Sequence, residues 1–204
     1  MGEGFEQRQR AGELPIEVAL PADADVLSGL KSGDEVVLSG PVYTARDATH
    51  VRLIAELRRK GELPYGLCGQ TIFYAGPTPP AAGRPAGAVG PTTAKRMDAV
   101  TPALLDAGIV ATIGKGPRSE AVRRACATHG AVYFAAVGGI AALLATHVSS
   151  SEVVAYPELG TEALVRLELD RFPVFVAIDA RGDDLYLTAS LEWRGAAGAN
   201  GSEL

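Results

Sequence analysis

The sequence repeats one local design four times: a short apolar run, a glycine-containing loop, and the start of a helical pattern. Short apolar runs bounded by glycine and proline indicate strands, and a 3.6-residue apolar spacing indicates helices. Because strands that alternate with helices favour a mixed sheet with helices packed on it, the sequence predicts an α/β fold. The four loops cover residues 39–46, 89–96, 113–117 and 137–140.

Strands and helices are predicted to alternate in the middle of the chain, with mostly strands toward its end. The predicted strands are 16–20, 35–38, 71–75, 109–113, 131–135, 152–155, 164–169, 174–178 and 185–188. The predicted helices are 45–60, 93–107, 118–128 and 139–147, the first with Thr44 as N-cap and Asp47 at the capping-box position. We therefore divide the chain into a flexible N-terminus at 1–14, one domain at 15–190, and a flexible tail at 191–204.

Composition limits the class of protein. A chain of 204 residues with 47% hydrophobic content can build one well-buried core. A net charge of -5 and an aromatic content of 6% argue against a nucleic-acid partner. The longest apolar stretch, around 131–148, is broken by two glycines, so we expect no membrane span.

Cys68 and Cys126 are the two cysteines of the chain. They do not make a disulfide framework, and we expect reduced thiols in a cytoplasmic protein. Two thiols also fall short of the three or four that an iron–sulfur cluster needs, so we expect no metal site in this chain.

Three of the four loops carry a cation, namely Arg46, Arg96 and Lys115. Each loop also precedes a helix, whose N-terminus offers backbone N–H groups at the positive end of the dipole. If the loops lie along one sheet edge, the cations converge on a small anion, and guanidinium groups suit two carboxylates. A small dicarboxylate is thus the expected ligand; the alternative is three solvated surface groups.

Further candidates lie beside these cations. Gly90 offers backbone, and we expect one hydroxyl of Thr92 and Thr93 to cap a helix while the other reaches the ligand. His50 follows Arg46 by one helical turn and faces the same way, although a packed or surface histidine is the alternative. No histidine has metal-ligand spacing.

A nucleotide site fits the glycine motifs less well. Gly116 stands where a phosphate-binding P-loop has the Ser or Thr that holds magnesium. Ser119 stands at the third glycine of a dinucleotide fingerprint, and no acidic residue ends the following strand to hold a ribose.

Taken in order, the motifs resemble the β subunit or C-terminal domain of the class I fumarase and L(+)-tartrate dehydratase family. The resemblance covers roughly residues 15–190. It is carried by the segments 42–47 (VYTARD), 74–77 (YAGP), 90–98 (GPTTAKRMD), 114–116 (GKG), 136–139 (AVGG), 156–163 (YPELGTEA) and 172–176 (FPVFV).

The resemblance implies a swivelling β/β/α domain and a hydro-lyase that reversibly hydrates fumarate to L-malate. It implies a [4Fe–4S] cluster held by a partner α subunit, in a heterodimer or an α2β2 assembly. L(+)-tartrate dehydratase remains open as a second reading, and a non-catalytic dicarboxylate-binding module is an alternative of another class.

The family also implies roles for individual residues. Arg46, Arg96 and Lys115 look like the carboxylate clamp, and Thr92 looks like the proton-abstracting base. A threonine hydroxyl is a weak base unless its surroundings lower its pKa. Gly90 and Thr93 belong to the predicted substrate-binding set, and His50 and Asp47 are further candidates.

Overall fold

The computed structural model of the chain describes residues 14–190. Apart from residue 14, the predicted flexible segments 1–14 and 191–204 lie outside the described residues, and the domain limits stay a prediction. The strands are β1 (Ile16–Ala19), β2 (Glu35–Thr44), β3 (Thr71–Phe73), β4 (Ala111–Gly114), β5 (Val132–Ala135), β6 (Val148–Ala155) and β7 (Leu164–Ile178). The α-helices are α1 (Ala24–Gly29), α2 (Asp47–Lys60), α3 (Thr101–Asp106), α4 (Glu120–His129) and α5 (Ala141–Leu144), and 3₁₀ helices cover Ala94–Met97, Ala145–His147 and Pro157–Glu162.

The strands form one mixed sheet that closes on itself like a barrel. β2, β3, β4 and β5 run parallel in that order, and β7 pairs antiparallel with both β5 and β2. β1 adds to the first half of β2, and β6 adds to the first half of β7. The predicted mixed sheet with flanking helices is confirmed, and its closure is a feature that sequence reasoning missed.

Closure depends on the length of β7. The sequence predicted two strands, 164–169 and 174–178, but the structure joins them into one strand of 15 residues. A register shift opposite Leu38 and Gly40 absorbs the irregular middle of this strand. Gly40 has φ 118°, and a Cβ there would stand 2.3 Å from the Leu20 carbonyl oxygen, so the bulge requires glycine.

Both faces of the central strands are buried. Phe73 and Phe134 join the core on one face of the sheet. Ile72 and Tyr133, their alternate neighbours, join a second core with apolar residues of the helices: Leu53 of α2, Leu104 of α3 and Val122 of α4. Strands covered on both faces explain the continuous apolar runs in the sequence.

Several predicted elements differ in detail. The helix predicted at 93–107 is a 3₁₀ turn followed by α3, which has Pro102 in its first turn, where proline is tolerated. The helix predicted at 139–147 is a four-residue α5 and a 3₁₀ turn. Residues 185–190 are helical, so the predicted strand 185–188 is wrong.

The start of α2 also differs from the prediction. Thr44 is the buried last residue of β2, and Arg46 occupies the N-cap position without a side-chain capping bond. The predicted capping box is therefore wrong, because β2 runs further than its apolar stretch indicated. The predicted end of this helix at residue 60 is confirmed: Gly61, the next residue, has φ 79°, and its N–H donates to the Leu57 carbonyl at 2.8 Å.

Candidate functional site

The predicted loop at 39–46 is mostly strand, because β2 continues to Thr44 and only residues 45 and 46 lie between it and α2. The loops at 113–117 and 137–140 follow β4 and β5, and residues 89–93 lead into the Ala94–Met97 turn at the end of a long connection from β3. The carboxyl ends of parallel strands meet at one edge of a sheet, and this is where open α/β sheets place their ligands. β2, β3, β4 and β5 are parallel, so their following loops share that edge. We call it the cationic edge, defined by Arg46, Thr92, Arg96 and Lys115.

An ion pair joins the first loop to the second. Arg96 Nη2 lies 3.0 Å from Asp47 Oδ2, and 46% of the Arg96 side chain is exposed. Arg46 directly precedes Asp47 in the chain, so the two predicted guanidinium groups belong to touching segments. The predicted candidates Arg46, Asp47 and Arg96 are brought together.

Backbone bonds join the second loop to the third. The Lys115 N–H donates to the Thr92 carbonyl at 3.2 Å, and the Ala94 N–H donates to the Lys115 carbonyl at 3.0 Å. Thr93 pairs with Lys115 as an isolated parallel bridge. Thr92, Thr93 and Lys115 therefore form a single local unit.

The two threonines differ in their surroundings. Thr92 is partly buried, and its hydroxyl donates to the Tyr74 carbonyl at 3.1 Å. Thr93 is exposed and stands at the N-cap position of the Ala94–Met97 turn, but its side chain makes no capping bond. The expectation that one threonine side chain caps a helix is wrong, because the Thr92 hydroxyl bonds to the Tyr74 carbonyl just after β3 instead.

Close contacts of two glycines join the fourth loop to the others. A Cβ on Gly138 would stand 3.1 Å from Lys115 Cδ and 3.4 Å from Nζ, so the lysine side chain lies against this glycine. A Cβ on Gly90 would stand 2.7 Å from the Ala141 Cβ in α5. Gly90 thus permits close packing beneath the edge, which gives it a structural reason beside its predicted role in binding.

Arg46 lies in a narrow slot. A Cβ on Gly76 would stand 2.9 Å from Arg46 Nη1 and 2.8 Å from the Thr161 carbonyl oxygen. Glu162 Oε1 lies 3.5 Å from Arg46 Nη2, and 24% of the arginine side chain is exposed. Its Nε is buried and has no hydrogen-bond partner among the described residues.

The helix N-termini at this edge are occupied by the protein's own carboxylates. Glu162 Oε2 accepts the Ala48 N–H of α2 at 2.8 Å, and Asp98 Oδ2 accepts the Ser119 N–H before α4 at 2.6 Å. These bonds supply what a bound anion would otherwise supply. The cationic side chains, rather than these two helix ends, are left to hold an external anion.

His50 lies beneath the edge. Only 2% of the residue is exposed, and its ring lies 5.5 Å from the Tyr74 ring. Nδ1 is 2.7 Å from the Arg46 carbonyl oxygen, which can only accept, so Nδ1 carries the proton. Burial lowers the pKa of His50 to about 4, so the ring is neutral near pH 7. The packed-histidine alternative fits this position.

Sequence reasoning missed Arg118, whose side chain is 0% exposed. Its Nε donates to Asp98 Oδ1 at 2.7 Å, its Nη2 donates to the Thr101 hydroxyl at 2.7 Å, and its guanidinium stacks on the rings of Tyr74 and Tyr133. Burial alone would lower the pKa of Arg118, but Tyr74 and Asp98 raise it above its usual value.

Metal ligands do not cluster in the described part of the chain. Within residues 14–190 no group of three His, Cys, Asp or Glu side chains is placed to hold an ion. Burial raises the pKa of the Cys126 thiol to about 12, and Cys68 is an exposed free thiol. These two cysteines do not fit an iron–sulfur cluster, which thiolates bind.

No helix in 14–190 has the length and apolar character to cross a membrane.

The fold and the edge together define a mixed α/β domain that presents a cationic edge suited to a small anion. The chain belongs to the Fumarase C-terminus family, whose model matches residues 4–189. The resemblance seen in the motifs is therefore confirmed.

Individual relatives are of two kinds. The chain is 40% identical over 151 residues to the anaerobic class I fumarate hydratase of Escherichia coli (strain K12). This match covers 73% of this chain and 28% of the relative. It is 38% identical over 163 residues to a putative L(+)-tartrate dehydratase subunit beta of Methanocaldococcus jannaschii, covering 77% of this chain and 84% of the relative. The L(+)-tartrate dehydratase subunit beta of Escherichia coli (strain K12) is 35% identical over 170 residues, covering 81% and 83%.

The chain covers a small part of the fumarate hydratases and most of the tartrate dehydratase beta subunits. The chain spans 28% of the anaerobic fumarate hydratase and 31% of fumarate hydratase 2 of Leishmania major. It spans most of each tartrate dehydratase subunit beta. The chain therefore corresponds to one domain of the first kind of relative and to nearly a whole subunit of the second.

Proposed function

We propose that this chain forms the dicarboxylate-binding half of a hydro-lyase active site that reversibly hydrates fumarate to L-malate. The observation that carries the proposal is the cationic edge: three cations and a threonine hydroxyl on touching loops at the carboxyl ends of parallel strands. The fumarate hydratase relatives support the reaction class.

The cations have a direct chemical role in such a reaction. Removal of a proton from the carbon next to a carboxylate moves negative charge onto that carboxylate. Positively charged groups fixed in place stabilise this charge, each by roughly 2–4 kcal/mol. In the proposal Arg46 and Arg96 bind the two carboxylates and Lys115 adds a third charge.

Thr92 is proposed to act beside them at the carbon that loses its proton. Its hydroxyl donates to the Tyr74 carbonyl, a bond that orients the oxygen and holds the neutral form, so Thr92 would have to lose this proton before it could accept one from substrate. Nearby cations would favour the ionised form that a base requires. Thr93 and the Gly90 backbone are proposed to complete the binding surface.

A partner is proposed to supply the metal chemistry. The [4Fe–4S] cluster of the proposed enzyme would belong to an α subunit, because the two cysteines here do not fit it. We further propose that this chain is the swivelling domain of the complex and that the enzyme is cytoplasmic. The tartrate dehydratase relatives, which are beta subunits by name, support a separate partner.

Reconstitution tests this function. The chain is purified alone and with the protein that co-purifies with it from the native source, and iron content and fumarate hydration are measured. The proposal expects activity and iron only in the complex. An active chain without iron, or a complex that binds dicarboxylates and does not hydrate fumarate, would contradict it; the second result, if the complex also fails to dehydrate L-tartrate, would favour the non-catalytic dicarboxylate-binding module.

L(+)-tartrate dehydration is the second candidate. It is favoured by the match along 83–84% of the tartrate dehydratase beta subunits. Both substrates carry two carboxylates, so the cationic edge serves either. The ratio of kcat/KM for L-tartrate and L-malate, measured on the same complex, decides between them.

A further inference from the structure

We propose that Glu162 is a positioning residue that holds Arg46 ready for a substrate carboxylate. The proposal rests on the proposed function, because it assumes that Arg46 binds a carboxylate. It adds a residue from the far end of the chain, 116 positions after Arg46, to the residues that set substrate affinity.

Glu162 touches the start of α2 with three of its atoms. Oε1 lies 3.5 Å from Arg46 Nη2, and Oε2 accepts the Ala48 N–H at 2.8 Å. The backbone carbonyl of Glu162 accepts the Thr49 hydroxyl. One residue therefore fixes both the backbone after Arg46 and the direction of its guanidinium.

A second residue that limits the slot is Gly76. There a Cβ would come within 2.9 Å of Arg46 Nη1 and 2.8 Å of the Thr161 carbonyl oxygen. The guanidinium thus lies against both the loop after β3 and the Pro157–Glu162 turn. Either contact can be altered without changing Arg46 itself.

The Pro157–Glu162 turn is itself tied to α2 at a distance from the slot. Tyr156, which precedes the turn, donates its hydroxyl to Glu56 Oε1 at 2.6 Å. Glu158 in the turn lies 3.7 Å from Arg52 Nη2, and both side chains are more than half exposed. Glu158 is therefore a matched control: the same turn and the same helix, but an ion pair outside the slot.

Preorganisation explains why Glu162 matters. A free arginine side chain loses rotamer freedom when it binds a ligand, and this loss weakens binding. A guanidinium already held by Glu162 and Gly76 loses less. The carboxylate of Glu162 reaches one nitrogen at long range, which leaves donors of Arg46 for a substrate.

The experiment measures, on the assembled complex, KM and kcat for fumarate hydration and the Kd of succinate, a dicarboxylate that cannot be dehydrated. Glu162→Gln keeps an acceptor for the Ala48 N–H and removes the charge beside Arg46. We expect KM and the succinate Kd to rise about fivefold to tenfold, with a smaller change in kcat. Gly76→Ala should act in the same direction, and Glu158→Gln should leave all three unchanged.

A double-mutant cycle separates positioning from general support of α2. In an Arg46→Met background, Glu162→Gln should change the succinate Kd by less than about twofold, because its effect passes through the arginine. Equal effects in both backgrounds would overturn the proposal, as would a Glu162→Gln complex indistinguishable from Glu158→Gln. If Glu162→Gln prevents assembly, Gly76→Ala decides: unchanged succinate binding there overturns the proposal.

Failure of the proposed function gives a different result. If Arg46→Ala leaves both the succinate Kd and kcat/KM unchanged, the clamp role of Arg46 is wrong. If Arg46→Ala weakens binding while Glu162→Gln and Gly76→Ala do nothing, only the positioning role is wrong.

Discussion

The cationic edge and a buried layer formed by Arg118, Asp98, Thr101, Tyr74 and His50 use the same kinds of side chain in opposite ways. Arg96 at the edge is 46% exposed and pairs with one carboxylate. Arg118 in the buried layer is 0% exposed and bonds to Asp98, Thr101, Thr112 and Tyr74. The guanidinium of Arg96 therefore keeps N–H donors for a ligand, whereas the donors of Arg118 are bonded to the protein.

Tyr74 connects the two regions. Its backbone carbonyl accepts both the N–H and the hydroxyl of Thr92 at the edge. Its ring and hydroxyl contact His50 and Arg118 in the buried layer. Tyr74 therefore links the buried layer directly to the Thr92 hydroxyl that we propose to act on substrate.

The largest effect is expected from breaking the buried layer. Arg118→Met removes the charge that compensates Asp98, whose side chain is 11% exposed. Removing one partner of a buried ion pair costs about 3–5 kcal/mol of unfolding free energy. Urea unfolding of the chain measures this loss.

The control for this prediction is Arg52→Met, which breaks an exposed pair with Glu158. Exposed pairs contribute about 0–1 kcal/mol, so this variant should unfold near the wild-type midpoint. Adding Asp98→Asn to Arg118→Met should recover part of the loss. An Arg118→Met chain as stable as Arg52→Met would show that the pair of Arg118 and Asp98 does not stabilise the fold.

Protonation of His50 gives the next effect. The pKa of His50 is lowered from 6.5 to about 4 by burial, so between these pH values the unfolded chain binds a proton that the folded chain does not. The free energy of unfolding therefore falls as pH falls through this window, by about 3 kcal/mol in total.

Comparison with His50→Asn isolates this contribution, since asparagine offers an N–H to the Arg46 carbonyl but does not titrate. Unfolding of both proteins is followed from pH 7 to pH 4. The wild type should lose about 3 kcal/mol more than the variant. Parallel pH profiles would mean that the ring is accessible to solvent, which would place His50 in the edge rather than beneath it.

Most strands were predictable, and so was the edge that they share. Apolar runs and glycine loops located β3, β4 and β5, and parallel order then required their following loops to meet. The closure of the sheet was not predictable, because Pro173 and the bulge opposite Gly40 divide β7 in the sequence. Local pattern carries no information about which strand pairs with a distant one.

The site was predictable only in part, for a similar reason. Arg46, Arg96 and Lys115 stand beside glycines in short motifs, so the pattern located them. Glu162 and Arg118 contact Arg46 and Asp98 across 116 and 20 positions of sequence respectively. Burial, which separates Arg118 from Arg96, cannot be read from a residue type that is usually exposed.

Removal of a cation tests the role of the cationic edge in activity, as opposed to the role of the buried layer in stability. Arg96→Ala should lower kcat/KM of the assembled enzyme by at least about a hundredfold, because the guanidinium proposed to bind a substrate carboxylate is lost. Stability should change little, because the side chain is half exposed and its pair with Asp47 lies at the surface. Steady-state kinetics of the complex measure the rate, with Arg52→Ala as the exposed control. A rate near that of the wild type would remove Arg96 from the site.

The smallest effect concerns the boundary between the two regions. The Tyr133 hydroxyl donates to the Gly116 carbonyl at 2.9 Å, one residue after Lys115. Tyr133→Phe keeps the ring against Arg118 and removes only this bond, so unfolding free energy should fall by about 1 kcal/mol. Because the backbone of Lys115 keeps its bonds to Thr92 and Ala94, kcat/KM should stay within about threefold of the wild type. A loss of activity much larger than the loss of stability would place this hydroxyl among the groups that position Lys115. The residues that support substrate binding would then include the buried Tyr133 as well as the exposed side chains of the edge.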